Sequence, residues 1–130
     1  KDGGSAIFKG VRDVSPNKAA LCEYPCLNLE YKPTQRRRYC WTNACSRGRS
    51  TEWLDGIQKV DMEDEDDDEG TLDVKTFGEG SYAGPATFIP RSNAKAEDDG
   101  YIVSTVYKSE EHRSDVVICD AATLDTLCVM

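Results

Sequence analysis

The stretch EDDGYIVSTVYKSEEHRSDVVICDAATL, residues 97–124, predicts a β-hairpin and with it the fold class. Residues 101–107 and 116–119 are rich in Val, Ile, Tyr and Thr, which favour strands, and a polar run between them provides a turn. Apolar residues do not recur here at the spacing of three and four that a helix requires. The hairpin therefore indicates antiparallel β-structure.

Short apolar segments separated by turn residues continue on both sides of this hairpin. Leu72, Val74 and Thr76 alternate with Asp73 and Lys75, as a strand with one solvated face requires. The other segments are residues 6–8, 21–29, 38–44, 53–62, 86–89 and 127–130. Glycine-containing breaks lie at Gly48, Gly70, Gly78, Gly80, Gly84 and Gly100. We predict an all-β chain of antiparallel strands and hairpins, in a sandwich or in propeller blades.

Composition and charge disfavour several classes of function. The 130 residues carry 24 acidic and 16 basic side chains, a net charge of -8, which disfavours nucleic acid and anionic membranes as partners. The longest apolar runs, such as residues 116–119, are far shorter than the roughly 20 residues that cross a bilayer. We expect no membrane span, and the sequence leaves the localisation unknown.

Two charged runs interrupt the strand pattern. Residues 61–69, DMEDEDDDE, predict a solvated acidic loop, because a block of like charges repels itself. A calcium-binding loop starting at Asp64 would need glycine at its sixth position and glutamate at its twelfth, where Glu69 and Lys75 stand. Residues 36–38 are three arginines, which are expected to contact an acidic partner or the acidic loop itself.

The six cysteines leave two interpretations open. Cys22 and Cys26, and then Cys40 and Cys45, are spaced so that a zinc site must be considered, although zinc sites usually have closer spacing. The alternative is buried or paired cysteines. Nucleophilic catalysis has no support, because His112 is the only imidazole and no Gly-x-Ser-x-Gly turn is present.

The segment SYAGPATFIPRSNAKAEDDGYIVSTVYKSEEHRSDVVICDAATL resembles the C-terminal region of the carotenoid cleavage oxygenase family. Family members read F-V-P-R, then E-D-D-G-Y before a strand, and a second strand ending in D-A. Upstream, CEYPCLNLEYKPTQRRRYCWTNAC resembles the E-F-P-x-x-N segment and its aromatic strand, and IQKVDM resembles a K-x-D strand. The resemblance covers residues 21–130, whereas residues 1–20 form a lead-in with a weak match.

This resemblance implies a seven-bladed β-propeller, of which the chain would supply about two blades. It also implies Fe(II), held by four histidines, and dioxygen used to cleave a double bond of a carotenoid or apocarotenoid. The chain has one histidine, His112, and it falls in a turn where the family carries no ligand. We therefore expect no catalytic and no metal-binding residue here, and no cofactor for the chain alone. Plastid localisation is implied only by the family.

The resemblance assigns one further role, that of carboxylates that orient ligand histidines by accepting a hydrogen bond. Glu23, in EYP, matches one such glutamate. A second is expected just before the F-V-P-R segment, where this chain has Pro85, or Gly84 if the alignment shifts by one. Neither side chain accepts a hydrogen bond, and Glu79 is the nearest carboxylate upstream.

Two functions follow as hypotheses. In the first, the chain is a non-catalytic structural or binding subunit of a larger assembly. In the alternative, it is part of an active Fe(II)-dependent dioxygenase that acts on a carotenoid or apocarotenoid. A zinc-stabilised interaction module is a minor third. The expected partner is another protein or the remaining propeller blades, with a carotenoid as a candidate ligand, because isolated blades expose unpaired strand edges.

Overall fold

A computed structural model describes residues 22–31, 36–46, 53–63 and 74–130. These residues form nine strands and no helix. In chain order the strands are β1 Cys22–Cys26, β2 Tyr39–Ala44, β3 Gly56–Asp61, β4 Val74–Thr76, β5 Ser81–Ala83, β6 Thr87–Pro90, β7 Gly100–Lys108, β8 Arg113–Asp120 and β9 Thr126–Val129. The prediction of an all-β chain is confirmed.

The strands make two antiparallel sheets. The first sheet has the order β1-β2-β3-β4, so that each strand pairs with its neighbour in sequence. The second has the order β5-β7-β8-β9, and β6 also pairs with β7. β5 and β6 follow one another along the same edge of β7, because Ser81 lies opposite Lys108 and Pro90 lies opposite Gly100.

The quoted hairpin is the longest pairing among the described residues. It runs from the pair Tyr101 and Asp120 to the pair Lys108 and Arg113. Ile102, Ser104 and Val106 of β7 are buried, and the residues between them are more exposed, as the period of two in a strand requires. The predicted hairpin is therefore confirmed.

The core contains side chains from both sheets. Trp41 of β2 is fully buried, and its ring centroid lies 4.8 Å from that of Phe88 in β6. The cluster of buried residues is Trp41, Ile57, Ala86, Ile102, Val106, Val117, Cys119, Ala121 and Leu124. Residues of two sheets thus share one apolar interior.

The structure differs from the sequence-based expectation at one strand. β5 was not predicted, because its three residues lie between glycine-containing breaks and show no apolar alternation. The predicted segment at residues 6–8 and most of the acidic run lie outside the described residues. Within the described part of the chain, no helix is long and apolar enough to cross a membrane.

Candidate functional site

The two sheets meet at a group of polar residues that we call the sheet joint, and some of its contacts cross between the sheets. It consists of Asn28, Arg38, Tyr39, Lys59, Arg91, Glu97, Asp98, Asp99 and Asp120 with the backbone groups that they contact. Most of these residues belong to the motifs that carry the family resemblance.

Glu97 is the buried carboxylate of the joint, with 8% of its surface exposed. Its Oε1 accepts hydrogen bonds from the backbone N–H groups of Arg38 and Tyr39, both at 3.0 Å, and its Oε2 lies 3.1 Å from the Arg38 nitrogen. A buried carboxylate is stable only when such donors replace water. Glu97 lies just before β7 of the second sheet, and it therefore fixes the start of β2 in the first sheet.

Asn28 makes the second contact with this segment. Its Nδ2 donates to the backbone carbonyl of Glu97 at 2.8 Å, and its Oδ1 accepts from the N–H groups of Glu30 and Tyr31 at 3.1 Å. The side chain thus closes its own turn after β1 and attaches that turn to the second sheet. The last residue of the EYPCLN motif has a structural role.

Two ion pairs, one of Lys59 and one of Arg38, extend the joint along β3. Lys59 Nζ lies 2.5 Å from Asp98 Oδ2 and donates to the carbonyl of Ala122 at 3.2 Å. Arg38 contacts Asp61, with Nη2 2.7 Å from Oδ2. Asp61 is the first residue of the acidic run, so the expected contact between the arginines and that run is confirmed for this pair.

Arg91, from the FIPR motif, joins the two ends of the β7–β8 hairpin. Its two terminal nitrogens lie 2.9 Å from Asp99 Oδ1 and 2.9 Å from Asp120 Oδ2. The backbone N–H of Lys95 and then Arg91 lower the pKa of Asp99. Burial alone would raise the pKa of Asp120, but the hydrogen bonds from Arg91 and from backbone N–H groups outweigh it, so this pKa is also lowered.

The backbone of β6 and β7 approaches closely at the joint. A Cβ atom built at Gly100 would lie 2.6 Å from the Ile89 carbonyl oxygen and 2.4 Å from the Phe88 ring. Any side chain would force these strands apart. The close packing of β6 on β7 therefore explains why position 100, the fourth residue of EDDGY, is a glycine.

The lowered pKa values of Asp99 and Asp120 predict that the ion pairs of Arg91 contribute less stability in acid. Because the folded-state pKa values of Asp99 and Asp120 lie below those of the unfolded chain, their stabilisation is present above about pH 4 and is lost as pH falls through the folded values. We expect the difference in urea midpoint between the wild type and Asp120→Asn to narrow from about pH 5 to about pH 2. A difference that stays constant over this range would contradict the assignment.

Glu23 lies on β1, away from the sheet joint, and its side chain is exposed. It pairs with Asn43 of β2, and residues directly opposite each other in antiparallel strands project to the same face. Asn43 Nδ2 donates to the carbonyls of Ala83 and Gly84, at 2.8 and 2.7 Å. Glu23 thus lies opposite a residue whose side chain contacts the segment immediately before Pro85. Sequence reasoning did not identify Asn43.

His112 lies in the turn between β7 and β8, where its backbone φ is 49°. The side chain is exposed, and its Nδ1 lies 3.2 Å from the hydroxyl of Tyr107. Among the described residues no three His, Cys, Asp or Glu side chains are placed to hold one metal ion.

All six cysteines are free thiols. Cys40, Cys45 and Cys119 are buried, so the prediction of buried cysteines is confirmed for these three, and that of paired cysteines is wrong. Burial raises the pKa of Cys40 and of Cys26, whose sulfur accepts a hydrogen bond from the Phe88 N–H at 3.1 Å.

A cavity of about 510 Å³ lies beside the Ala83–Gly84 segment. Its walls include three aromatic side chains, and the lining residues are Trp53, Tyr82, Ala83, Gly84, Thr105, Tyr107 and Ser114. Cavities of this size, lined mainly by apolar groups, hold small molecules in other proteins. Sequence reasoning did not find this cavity, because its walls come from four separate segments.

Consecutive antiparallel sheets that share a core occur in β-sandwiches and in β-propellers, and the solved structures that resemble this chain belong to the β-propeller class. Solved structures agree: an ACO/RPE65 chimera superposes with a TM-score of 0.73 at 28% identity, over 85% of this chain and 22% of that one. Cobalt-substituted Synechocystis ACO gives a TM-score of 0.73 at 30% identity over the same shares. The fold expectation is confirmed.

The family model described as RPE65, retinal pigment epithelial membrane protein, matches residues 7–130. Apocarotenoid-15,15'-oxygenase of Synechocystis sp. is 34% identical over 100 residues, which cover 77% of this chain and 19% of that protein. Isoeugenol monooxygenase of Pseudomonas nitroreducens is 39% identical over 61 residues, 47% of this chain and 13% of that protein. The chain belongs to the RPE65 and carotenoid cleavage oxygenase family. It spans about a fifth of the length of the Synechocystis oxygenase.

Proposed function

We propose that this chain is a non-catalytic structural or binding subunit of a larger assembly, built on part of a carotenoid-oxygenase-type propeller fold. The observation that carries the proposal is the sheet joint. Glu97, Asp98, Asp99 and Asp120 direct their carboxylates to backbone N–H groups, Lys59 and Arg91 within the chain itself. Glu97 and Asp98 hold the two sheets together, and Asp99 and Asp120 hold the ends of the β7–β8 hairpin, so these carboxylates serve contacts within the chain.

The chemistry of the available donors supports the same proposal. The family resemblance requires four imidazoles for Fe(II), and the chain has one histidine, whose described position is an exposed turn. Imidazole is a ligand type that suits iron, and one such group does not fix its geometry. Fe(II) remains a family expectation, and no catalytic step is assigned to this chain.

A structural segment of this kind needs a partner, either another protein or the remaining blades. At the outer edge of the second sheet, all four residues of β9 are exposed. Leu127 and Val129 each expose 53% of their surface. Exposed edge strands pair readily with another chain. The partner therefore adds to these sheets by covering their edges.

A second candidate is that the chain forms part of an active Fe(II)-dependent oxygenase of a carotenoid or apocarotenoid. The observation that favours it is that Glu23 pairs in register with Asn43, whose amide contacts the segment before Pro85. Asn43 therefore adjoins both positions at which the resemblance expects carboxylates. In this candidate Glu23 accepts a hydrogen bond from a histidine elsewhere in the protein, and the aromatic cavity near Gly84 contacts an apolar ligand.

One experiment separates the two candidates. The chain of residues 1–130 and the encoded protein at its full natural length are each given Fe(II), reductant, air and an apocarotenoid. We expect the 130-residue chain to retain no stoichiometric iron after desalting and to release no aldehyde, because one imidazole does not replace four. The readouts are metal content and product chromatography.

The outcomes are distinct. One equivalent of iron or any aldehyde from the 130-residue chain would contradict the first candidate, and His112→Gln would then report whether the histidine is responsible. Iron and product from the full-length protein alone would support the second candidate. If neither protein yields iron or product, the non-catalytic function extends to the whole protein.

A further inference from the structure

The pairing of β1 with β2 contains one irregular step. Glu23 lies opposite Asn43. The next paired residue of β1 is Cys26, which lies opposite Trp41. Two residues therefore lie between the paired positions on β1, whereas one residue lies between them on β2. An extra residue of this kind is a β-bulge, which bends a strand and changes the direction of its side chains.

The bulge decides which face two side chains of β1 share. In a regular strand successive side chains alternate between the faces, so residues three apart, such as Glu23 and Cys26, would point in opposite directions. Their partners Asn43 and Trp41 are two apart on β2, and both contact the second sheet. Because residues directly opposite each other share a face, the extra residue turns both Glu23 and Cys26 towards the second sheet.

A contact of Cys26 agrees with this direction. Its sulfur accepts a hydrogen bond from the backbone N–H of Phe88 in the second sheet, at 3.1 Å, and the residue is only partly exposed. Cys22, which precedes the bulge, is exposed. The reactivity of the Cys26 thiol, compared with that of Cys22, therefore reports whether the bulge is in place.

Tyr24 has the unusual backbone conformation of the bulge. Its φ is 55°, in the left-handed region that residues other than glycine rarely adopt. The other described non-glycine residues with positive φ, His112 and Leu124, lie between strands, whereas Tyr24 lies inside one. Burial of the ring does not explain the conformation, because Tyr24 exposes 55% of its surface. Conformations of this kind cost free energy and occur where the structure around them requires them.

We propose that Tyr24 is a positioning residue, whose left-handed backbone forms the bulge that directs Glu23 and Cys26 together towards the second sheet. Pro25 fits this role, because proline lacks an N–H group and is accepted at bulges and in edge strands. The functional meaning rests on the second candidate function, in which Glu23 accepts a hydrogen bond from a histidine elsewhere in the protein. Tyr24 then acts on the metal centre through Glu23.

Two substitutions in the encoded protein at its full natural length test the bulge. Tyr24→Val and Tyr24→Asn both remove the ring, but a β-branched side chain opposes the left-handed conformation and asparagine tolerates it. The readout is the rate at which iodoacetamide alkylates Cys26 relative to Cys22 in the folded protein, measured by peptide mass spectrometry. We expect Tyr24→Val to raise this ratio about tenfold through local opening, and Tyr24→Asn to leave it near the wild-type value.

His112→Val is the matched control. It also places a β-branched residue at a positive φ, of 49°, but in the turn between β7 and β8. The Cys26 ratio should stay at the wild-type value in this variant. An unchanged ratio in Tyr24→Val, or an equal rise in His112→Val, would overturn the proposal.

Tyr24→Asn decides the matter if Tyr24→Val does not fold. A folded Tyr24→Asn with the wild-type Cys26 ratio would support a backbone role, because this variant keeps the tolerance for the left-handed region and lacks the ring. A Tyr24→Asn variant that also fails to fold, or that shows a raised ratio, would overturn the proposal in favour of a role for the ring.

Iron affinity of the full-length protein tests the action through Glu23. We expect Glu23→Gln and Tyr24→Val each to weaken iron binding by about 10–100-fold, as the loss of a group that orients a ligand does. The double variant should lose no more than the weaker single variant, because both changes act on one carboxylate. Additive losses, or a loss in Glu23→Gln alone, would overturn the positioning role while the second candidate function stands. A wild-type protein that binds no iron would reject the second candidate function, and the Cys26 ratio would still decide the bulge.

Discussion

Trp41→Ala is expected to lower the free energy of unfolding by about 3–5 kcal/mol, which is the usual cost of truncating a buried aromatic side chain. Trp41 is fully buried at the contact between the sheets, and its ring packs on Phe88. Its Nε1 also donates to the carbonyl of Ala121 at 2.9 Å. The substitution removes packing and a hydrogen bond together. Urea or thermal unfolding measures the loss.

Two further variants separate these contributions. Trp41→Phe keeps most of the packing and leaves the Ala121 carbonyl without its donor, so we expect an intermediate loss of about 1–3 kcal/mol. Trp53→Ala is the control, because Trp53 exposes 66% of its surface and should change stability by no more than about 0.5 kcal/mol. Similar losses of unfolding free energy for Trp41→Ala and Trp53→Ala would contradict the claim that Trp41 stabilises the contact between the sheets.

Glu97→Ala is expected to cost about 2–4 kcal/mol, because it leaves the N–H groups of Arg38 and Tyr39 without their acceptor in a partly buried place. Glu97→Gln retains one side-chain oxygen. Because the single atom Oε1 accepts hydrogen bonds from both N–H groups, we expect a smaller loss of stability than in Glu97→Ala. Amide hydrogen exchange supplies a second readout. Protection of the Arg38 and Tyr39 amides should fall in Glu97→Ala.

Glu110→Ala is the matched control for this prediction. Glu110 is an exposed glutamate beside the β7–β8 turn, and surface substitutions of this kind change stability by about 0.5 kcal/mol or less. An equal effect of Glu97→Ala and Glu110→Ala, or unchanged protection at Arg38 and Tyr39, would show that Glu97 does not hold the start of β2.

Much of the fold was accessible from sequence because strand periodicity is a local signal. Residues 101–107 and 116–119 fall within β7 and β8, and the segment at 127–130 overlaps β9. β5 escaped prediction because three residues are too few to show a period of two. Its place along β7 depends on pairing with residues more than twenty positions away.

The candidate site was accessible only in part. The motifs contain Glu23, Arg91 and Glu97, but sequence reasoning gave a role only to Glu23 and did not show which atoms any of them contacts. Asn43 carries no motif, and its importance comes from carbonyls 40 and 41 residues later. Such contacts are visible only when the surrounding atoms are placed. Sequence spacing therefore could not reveal it.

The sheet joint also has a consequence for the order of assembly. The first sheet forms from chain neighbours, whereas the joint closes a loop of 59 residues between Arg38 and Glu97, and the core contact of Trp41 with Ala121 closes one of 80 residues. Long loops carry a larger entropic cost before their contacts form, so local hairpins have the kinetic advantage. We expect the joint and this core contact to form last, and substitutions at Trp41 or Glu97 to accelerate unfolding while leaving the folding rate nearly unchanged. Stopped-flow rates that show slower folding instead would place the joint in the folding nucleus.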